Sequence, residues 1–331
     1  MKRLGAPPSC EAAGTVRLGS TPVRVSRLAL GTAPLGGLFD AVSASQAAAT
    51  LRAAAQRGLR YVDTAPFYGM GTAEERVGAF LASDAPAGTT VSSKVGRLLR
   101  RTSGKNSTVF KSADPHLVDY FDFSVDAVHR SVTETLRRLG TDRLDVVYVH
   151  DPDEHIEQAL AETFPALARL RQDGVVAAVG LGTMRTETAV RVLQEADLDV
   201  IMIAGRWTLV DRSAGAGLLP LAARRGVPVV AAGVFNSGVL ADPRPGSHFD
   251  YHAASPALLG KVKDMARACE NWGTSLPAAA LQHPLRHPAV VSVVVGCRTP
   301  EEVDSNVRAF ESPIVTECWD ELDAIAEGTD R

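Results

Sequence analysis

The sequence predicts an α/β fold, a (β/α)8 TIM barrel, and three observations lead to that prediction. Short apolar, β-rich runs alternate with helical patterns, giving eight strand-helix units along the chain. Near-continuous apolar strands separated by helices indicate a parallel sheet covered on both faces, and eight such units close naturally into a barrel. The length of 331 residues suits one domain of this kind.

The elements are predicted in chain order after a tail over residues 1–14, with one barrel domain spanning 15–331. The segment GTVRLGSTPVRVSRLALGT predicts a small N-terminal β-hairpin that leads into a first buried strand at 28–32. We expect extra helices and loops at the C-terminal face of the barrel. The remaining predicted elements are helix Ser45–Arg57, strand Arg60–Asp63, helix Ala73–Ala82, strand Thr89–Lys94, helix Ser124–Arg138, strand Leu144–Val149, helix Glu157–Gln172, and strands Val175–Gly180, Leu198–Ile203, Val227–Ala231 and Val290–Val295, with helical segments between these last strands.

A doubly wound open sheet is the structural alternative. That fold predicts a glycine-rich dinucleotide motif after the first strand, but LGTAPLGGLF lacks the GxGxxG spacing and the acidic residue that accompanies it. The barrel is therefore favoured.

Composition favours a small-molecule partner. Hydrophobic residues make up 45% of the chain and charged residues 22%, which is typical of a soluble globular protein. A formal net charge of -3 gives no support for a nucleic-acid or anionic-membrane partner. The start of the chain lacks an apolar stretch of signal-peptide length, and no later run is long enough to span a bilayer, so we predict a cytoplasmic protein.

No metal site is predicted. The four cysteines are scattered without a CxxC pair, which indicates reduced thiols rather than a zinc site or a disulfide framework. His283 and His287 have i, i+4 spacing, but HPLRHP predicts a helix end rather than a pair of ligands.

Four polar residues are predicted to meet where strands end. Asp63 and Lys94 close the second and third strands, His150 follows the fourth, and Tyr68 lies five residues into the loop after the second. In a barrel, reacting groups come from the C-terminal ends of different strands. A tyrosine with a pKa near ~10 is a poor acid or base at neutral pH unless a neighbouring cation such as Lys94 favours its phenolate. The set therefore predicts proton transfer in a carbonyl/alcohol interconversion.

At these residues the chain resembles the aldo-keto reductase superfamily. The DTAxxYG segment, a strand-end lysine and a strand-end histidine carry the resemblance, which runs from about Val16 to Phe310. It implies a barrel that binds NADP or NAD in extended form. It also implies that Tyr68 is the general acid/base, that Lys94 and Asp63 tune it, and that His150 orients the substrate oxygen.

The segments GTAPLGGLF, HDPD, AGRWTLVD and GVFNSGVL are similar to one branch of that superfamily. The branch contains L-fucose dehydrogenases, D-threo-aldose dehydrogenases and pyridoxal 4-dehydrogenase. The resemblance implies oxidation of a cyclic sugar hemiacetal to a lactone, or of a comparable pyridoxal hemiacetal, with hydride passing to the nicotinamide.

The resemblance also implies a set of coenzyme contacts. Gly31, Thr32 and Asp63 are expected near the nicotinamide, with Trp207 stacked on its ring. The loop after the seventh strand is expected to wrap the pyrophosphate, and the start of the eighth helix is expected to bind the adenosine end. These two groups are Val234, Phe235, Asn236, Ser237 and Gly238, and Gly296, Cys297, Arg298, Thr299, Glu302 and Asn306.

Two departures affect the coenzyme contacts. Gly182-Thr183 replaces the Ser-Asn pair of many relatives after the fifth strand, and Ala204 replaces the sixth-strand glutamine. Carboxamide binding is therefore expected to differ in detail. Arg298 favours the 2′-phosphate of NADP by charge, whereas Glu302 would accept a hydrogen bond from the ribose of NAD. The sequence favours NADP, with NAD as the alternative.

The long connection over residues 96–123 is expected either to cover the pocket or to form a mobile surface loop. Two alternative functions stay open from the sequence, and a third lacks a site. The same residues suit a reductase of aldehydes or ketones, a coenzyme-binding regulatory subunit suits the fold, and a barrel isomerase or lyase would need a phosphate or metal site that the sequence does not offer.

Overall fold

Eight parallel strands form a closed barrel in the computed structural model, which describes residues 4, 5, 7, 10–104 and 108–328. Around the barrel each strand pairs with its neighbours in chain order, and the last strand pairs with the first. The barrel prediction is confirmed. The strands are β1 (Leu28–Gly31), β2 (Tyr61–Asp63), β3 (Thr90–Val95), β4 (Leu144–His150), β5 (Val176–Thr183), β6 (Val200–Ala204), β7 (Val229–Ala232) and β8 (Val290–Gly296).

A helix follows each barrel strand. Ser43 and Ser124 cap the first and third of these helices by accepting hydrogen bonds from backbone N–H groups, which satisfies donors that the helix itself leaves free. The eight are α1 (Ala44–Gln56), α2 (Thr72–Ser83), α3 (Val125–Leu139), α4 (Phe164–Gln172), α5 (Thr186–Glu195), α6 (Leu218–Arg225), α7 (Leu276–Gln282) and α8 (Pro300–Glu311).

One predicted helix has an irregular start. The predicted helix Glu157–Gln172 consists of a short turn, Ile156–Gln158, a π-helical segment, Ala159–Thr163, and then α4. Pro165 at the beginning of α4 has no N–H to give to the preceding turn, and the wider π turn accommodates this loss.

Two further helices and three small hairpins surround the barrel. The helices Pro256–Asn271 and Thr316–Glu327 pack on each other through a separate apolar cluster that includes Met265 and Trp319. An N-terminal hairpin pairs Thr15–Arg17 with Arg24–Ser26. The other hairpins lie in the connections after β3 and β7, and they pair Arg97–Arg101 with Leu117–Phe121, and His248–Phe249 with His252–Ala253.

The core has two main parts. Inside the barrel, Tyr61, Tyr148 and Met202 pack together with side chains of the N-terminal hairpin such as Val25. A larger cluster fills the space between the strands and the surrounding helices. Apolar strands buried on both faces explain the near-continuous hydrophobic runs of the sequence.

No helix in the described parts of the chain is long and apolar enough to cross a membrane. Some predicted segments lie partly outside the described residues. They are residues 1–3, 6, 8 and 9 of the expected tail, 105–107 of the connection over 96–123, and 329–331. The division into a tail and one domain stays a prediction.

Candidate active site

The barrel brings the four predicted residues to the wall of one cavity. Asp63, Tyr68, Lys94 and His150 all line a space of about 710 Å³. Three of them come from neighbouring strands, β2, β3 and β4, and Tyr68 comes from the loop after β2. Residues far apart in the sequence thus meet because parallel strands end at one face.

Lys94 and Asp63 form a buried ion pair, each only 2% exposed. The Nζ of Lys94 lies 2.8 Å and 2.7 Å from the two carboxylate oxygens of Asp63 and 2.9 Å from the carbonyl oxygen of Thr64. Ser92 donates a further hydrogen bond to Asp63 Oδ1 at 2.7 Å. All three ammonium hydrogens of Lys94 therefore have acceptors, which fixes the charge in place.

Tyr68 is positioned by a close contact between two loops. A Cβ on Gly36 would lie 2.7 Å from the backbone of Tyr68 and Gly69, so only glycine fits at this position. Gly69 faces it with a φ of 65°, a conformation that favours glycine. The contact holds the tyrosine ring with its centroid 4.8 Å from the Nζ of Lys94 and 6.2 Å from the ring of His150.

The pKa of Tyr68 differs from the expectation. The sequence predicted that Lys94 would favour the phenolate, but in the protein the pKa of Tyr68 is raised well above its usual value. Burial is the main cause, and the negative charge of Asp63 adds to it, while Arg97 acts in the opposite direction. Burial therefore outweighs the effect of Lys94, which Asp63 contacts, in the protein without bound groups. The role of Tyr68 as general acid/base stays a prediction. Without other bound groups, Tyr68 keeps its proton.

His150 is a neutral imidazole in this environment. Its pKa is lowered well below the usual value by burial and then by the positive charges of Lys94 and Arg97. Among the described residues its Nδ1 has no hydrogen-bond partner, although the atom is buried. A neutral ring offers one donor and one acceptor, so His150 has hydrogen-bonding capacity left for a group in the cavity.

Arg97 and Asp151 are among the charged residues of the cavity wall that the sequence did not single out. Asp151 directly follows His150, and its Oδ2 lies 3.5 Å from the Nε2 of the histidine. Arg97 lies three residues after Lys94 and contacts both Asp151 and Asp119. Their positions close to two strand-end residues are the sequence signal that indicates this cavity. Asp151 also belongs to the HDPD segment, which resembles one branch of the superfamily.

The long connection after β3 contributes to the cavity. Arg97, Val109 and Phe110 line it, and the ring of Phe110 lies 6.3 Å from that of Tyr68. The connection therefore forms part of the cavity wall, and its role as a cover over the pocket stays a prediction.

Part of the cavity wall is made of residues with little or no side chain. Gly31, Gly182, Ala204, Ala232 and Gly296 lie at or near the ends of strands and line the cavity. A Cβ on Gly182 would lie 3.9 Å from the Cε of Lys94, so this part of the wall adjoins the ion pair. Small residues allow a flat ring to approach the backbone closely, and a nicotinamide is a ring of that kind.

The predicted pyrophosphate loop lines the same cavity. Val234, Phe235, Asn236, Ser237 and Gly238 all contribute to it. Asn236 and Ser237 have φ values of 45° and 59°, and the buried Oδ1 of Asn236 has no partner in the described structure. The N–H groups of Asn236 and Gly238 donate to the carbonyl oxygens of Gly233 and Phe235 within the loop. Contact of this loop with the diphosphate of a coenzyme therefore stays a prediction.

Trp207 does not lie where the resemblance implied. Its side chain is 1% exposed, it does not line the cavity, and its Nε1 donates to the carbonyl oxygen of Pro284 at 3.1 Å. Gly215 lies against the indole, where a Cβ would come within 2.5 Å of the ring. Trp207 therefore packs in the core, and the predicted stacking on the nicotinamide was wrong.

Thr32 and Cys297 are also buried rather than exposed to the cavity. The hydroxyl of Thr32 donates to the carbonyl oxygen of Asp63 at 3.0 Å and so ties the end of β1 to the end of β2. The Sγ of Cys297 accepts from the Nδ2 of Asn306 at 3.3 Å. Side-chain contact with a coenzyme in the cavity is therefore not available to Thr32 or Cys297.

Arg298 lies at the rim of the cavity between two carboxylates. Its Nη1 contacts Asp40 at 2.7 Å, and its Nη2 contacts Glu302 at 2.8 Å. Thr299 caps α8 by accepting from the N–H of Glu302. Thr299, Glu302 and Asn306 do not line the cavity, and the coenzyme contacts assigned to them stay predictions.

Comparison with known proteins identifies the family. The model of the aldo/keto reductase family matches residues 27–327. The chain belongs to the aldo/keto reductase family. It is accordingly an NAD(P)-dependent oxidoreductase, and the family prediction made from the DTAxxYG segment and the two strand-end residues is confirmed.

Two curated relatives and one solved structure illustrate the similarity. The chain is 40% identical to a D-threo-aldose 1-dehydrogenase from Pseudomonas sp., covering 90% of this chain and 93% of the relative. It is 39% identical to a pyridoxal 4-dehydrogenase from Microbacterium luteolum, covering 92% and 95%. A glycerol dehydrogenase from Gluconobacter oxydans has a TM-score of 0.75 and 25% identity, with 95% of each chain covered. The aldo/keto reductase thus resembles the branch expected from its sequence.

Proposed function

We propose that this aldo/keto reductase oxidises the hemiacetal carbon of a cyclic aldose to a lactone. The observation that carries the proposal is the 40% identity, over nearly the whole chain, to a D-threo-aldose 1-dehydrogenase. The polar wall formed by His150, Asp151 and Arg97 supports it, because a sugar presents several hydroxyl groups to such a wall.

The four clustered residues take distinct roles in this proposal. Tyr68 exchanges a proton with the substrate oxygen, and neutral His150 hydrogen-bonds the same oxygen and orients it. Lys94 and Asp63 hold a fixed dipole beside the phenol. A bound nicotinamide coenzyme would accept or supply the hydride. In this proposal its ring would lie against the small residues of the cavity wall and its diphosphate near the loop over residues 234–238, as the resemblance implies.

The protonation state of Tyr68 decides which half of the reversible reaction the protein alone is ready to begin. In oxidation, Tyr68 must first release its proton to water and then remove the hydroxyl proton of the lactol. In reduction, a protonated Tyr68 is ready to donate. The raised pKa of Tyr68 favours the second situation in the protein alone. Reduction of an aldehyde or ketone is therefore the second candidate function.

We further propose NAD as the preferred coenzyme, although the charge of Arg298 alone favours NADP. The resemblance implies that Arg298 would meet the 2′-phosphate of NADP and that Glu302 would contact the ribose or adenine. This arginine already pairs with Asp40 and Glu302, so the rim carries one positive and two negative charges. Adding a dianionic 2′-phosphate there would set it against two carboxylates, whereas a neutral ribose hydroxyl can donate to one of them.

Coenzyme binding tests this choice. We expect NADH to bind at least about tenfold more tightly than NADPH. Glu302→Gln and Asp40→Asn should each reduce the ratio of the two dissociation constants about three- to fivefold, because the carboxylates are partly exposed to solvent. Glu301→Gln, an exposed change one residue away on α8, is the control. Dissociation constants come from quenching of protein fluorescence. Tighter binding of NADPH by the parent would contradict the proposal.

A substrate panel tests the reaction. Purified protein is mixed with NAD or NADP and a set of aldoses that differ in configuration, with pyridoxal as a separate member, and absorbance of the reduced coenzyme is followed. We expect reduction of the coenzyme with one group of aldoses and release of the lactone. Turnover restricted to simple aldehydes with reduced coenzyme would establish the reductase instead.

A small molecule is the only partner proposed. The predicted cytoplasmic location is kept as part of this proposal, since the chemistry draws on a nicotinamide coenzyme.

A further inference from the structure

We propose that Arg97 and Asp151 form a hydroxyl-binding pair that selects neutral polyhydroxy substrates over simple aldehydes and over anionic substrates. The inference rests on the proposed function, because it concerns the substrate end of the same site. It adds two residues, neither of them in the catalytic set, and a chemical class of substrate that they recognise.

Arg97 is held in one orientation at the wall of the cavity. Its Nη2 and Nε contact Asp119 Oδ2 at 2.8 Å and 3.2 Å. Its guanidinium carbon lies 3.5 Å from the centroid of the Phe67 ring and 4.9 Å from that of Phe121. The contacts with Asp119 and the rings fix the plane of the guanidinium, so the remaining N–H groups need little ordering when a substrate binds.

Asp151 presents its carboxylate beside the reacting centre. It follows His150 with a φ of 47°, and its N–H donates to the carbonyl oxygen of Gly182 at 2.9 Å. Its Oδ2 lies 3.5 Å from both the Nε2 of His150 and the Nη1 of Arg97. At that distance the contact with Arg97 is too long for a strong hydrogen bond, so the carboxylate has lone pairs left for a ligand.

The two groups offer complementary hydrogen bonds. The carboxylate of Asp151 accepts and the guanidinium of Arg97 donates, while a sugar hydroxyl does both. A substrate whose reacting carbon is held by Tyr68 and His150 would place its neighbouring hydroxyls against this pair. A polyhydroxy compound with hydroxyls next to the reacting carbon therefore forms hydrogen bonds with both Asp151 and Arg97.

Substrates of other classes leave the pair unsatisfied. A simple aldehyde displaces water from Asp151 and Arg97 without replacing its hydrogen bonds, which costs affinity. An anionic substrate meets two carboxylates, Asp119 and Asp151, around one guanidinium, so the local charge opposes it. Neutral polyhydroxy compounds avoid both penalties.

Asp151→Asn tests the pair with little disturbance of the backbone. Asparagine has the same shape and tolerates a left-handed φ. We expect KM for aldoses to rise about tenfold, the effect of losing one charged hydrogen bond, and the ratio of kcat/KM for aldoses to kcat/KM for a simple aldehyde to fall by about the same factor. Glu154→Gln removes a charge from the same loop at a side chain that is 78% exposed, and it is the matched control.

Inhibition by an alditol makes the test independent of aldose turnover. A six-carbon alditol is measured as a competitive inhibitor of whichever carbonyl compound the parent reduces. We expect its inhibition constant to rise about tenfold in Asp151→Asn and to stay unchanged in Glu154→Gln. If the parent fails to oxidise aldoses yet the alditol shows this pattern, the proposed reaction fails while the hydroxyl-binding pair stands.

Two results would overturn the pair. The first is equal inhibition of the parent and of Asp151→Asn by the alditol, or no inhibition of either protein. The second is an equal loss for aldoses and simple aldehydes in Asp151→Asn, which would mean that Asp151 acts through His150 on the reaction step rather than on substrate hydroxyls.

Discussion

Turnover is expected to fall about a thousandfold or more when Tyr68 is replaced by phenylalanine, because the variant has no group that can exchange a proton with the substrate oxygen. The change removes one oxygen atom and keeps the ring that packs near Phe110 and the ammonium of Lys94. Coenzyme binding should therefore stay within about threefold of the parent, since the remaining contacts of the cavity are unchanged.

The measurement combines steady-state turnover with coenzyme dissociation constants. Tyr120→Phe is the control, because this phenol oxygen accepts a hydrogen bond from Arg130 at 2.6 Å and the side chain does not line the cavity. Turnover by Tyr68→Phe close to that of the control would remove Tyr68 from the mechanism. A parallel loss of coenzyme binding would instead indicate a collapsed site.

The raised pKa of Tyr68 adds a pH dependence to the same prediction. The protonated phenol donates in reduction, and a pKa above its usual value of ~10 keeps it protonated through the neutral and mildly alkaline range. The reductive rate of the parent should therefore stay level up to about pH 9. A fall in that rate near neutrality would show that the bound coenzyme lowers the pKa of Tyr68 strongly.

The sequence was sufficient for the architecture because each signal was local. Apolar β-rich runs define strands wherever both faces are buried, and the position of a residue at the end of such a run fixes the face of the barrel on which it lies. Asp63, Lys94 and His150 met this condition, so their convergence on one cavity followed from chain order alone.

Other features depended on packing that the sequence does not encode locally. Trp207 lies three residues after β6, a position that suits contact with a nicotinamide ring at the C-terminal end of the barrel. Its indole nevertheless packs in the core and donates a hydrogen bond to the carbonyl oxygen of Pro284. The raised pKa of Tyr68 is caused first by burial and then by the charge of Asp63, and both depend on packing in three dimensions. Arg97 and Asp151 are candidates for substrate binding because both side chains line the cavity, which no local sequence pattern indicates.

The Asp63→Asn variant is expected to lower the free energy of unfolding by about 3–5 kcal/mol and to lower turnover strongly. The substitution leaves the ammonium of Lys94, which is 2% exposed, without its counter-charge. A buried charge without a partner is far more costly than a missing pair. Asp304→Asn is the control, since it removes the partner of Arg57 in an ion pair whose side chains are 38% and 44% exposed, and we expect it to cost less than about 1 kcal/mol.

The double variant Asp63→Asn, Lys94→Met separates folding from catalysis. Removing both charges should recover roughly 2 kcal/mol or more of the loss in denaturant unfolding, because no uncompensated charge stays buried. Turnover should not recover, since the fixed dipole beside Tyr68 is then absent. Recovery of both quantities together would show that the pair serves only to stabilise the barrel. Recovery of stability alone would show that the buried charge pair is retained at this position for its effect on the phenol of Tyr68. The pair would then lower the stability of the fold relative to two apolar or neutral side chains.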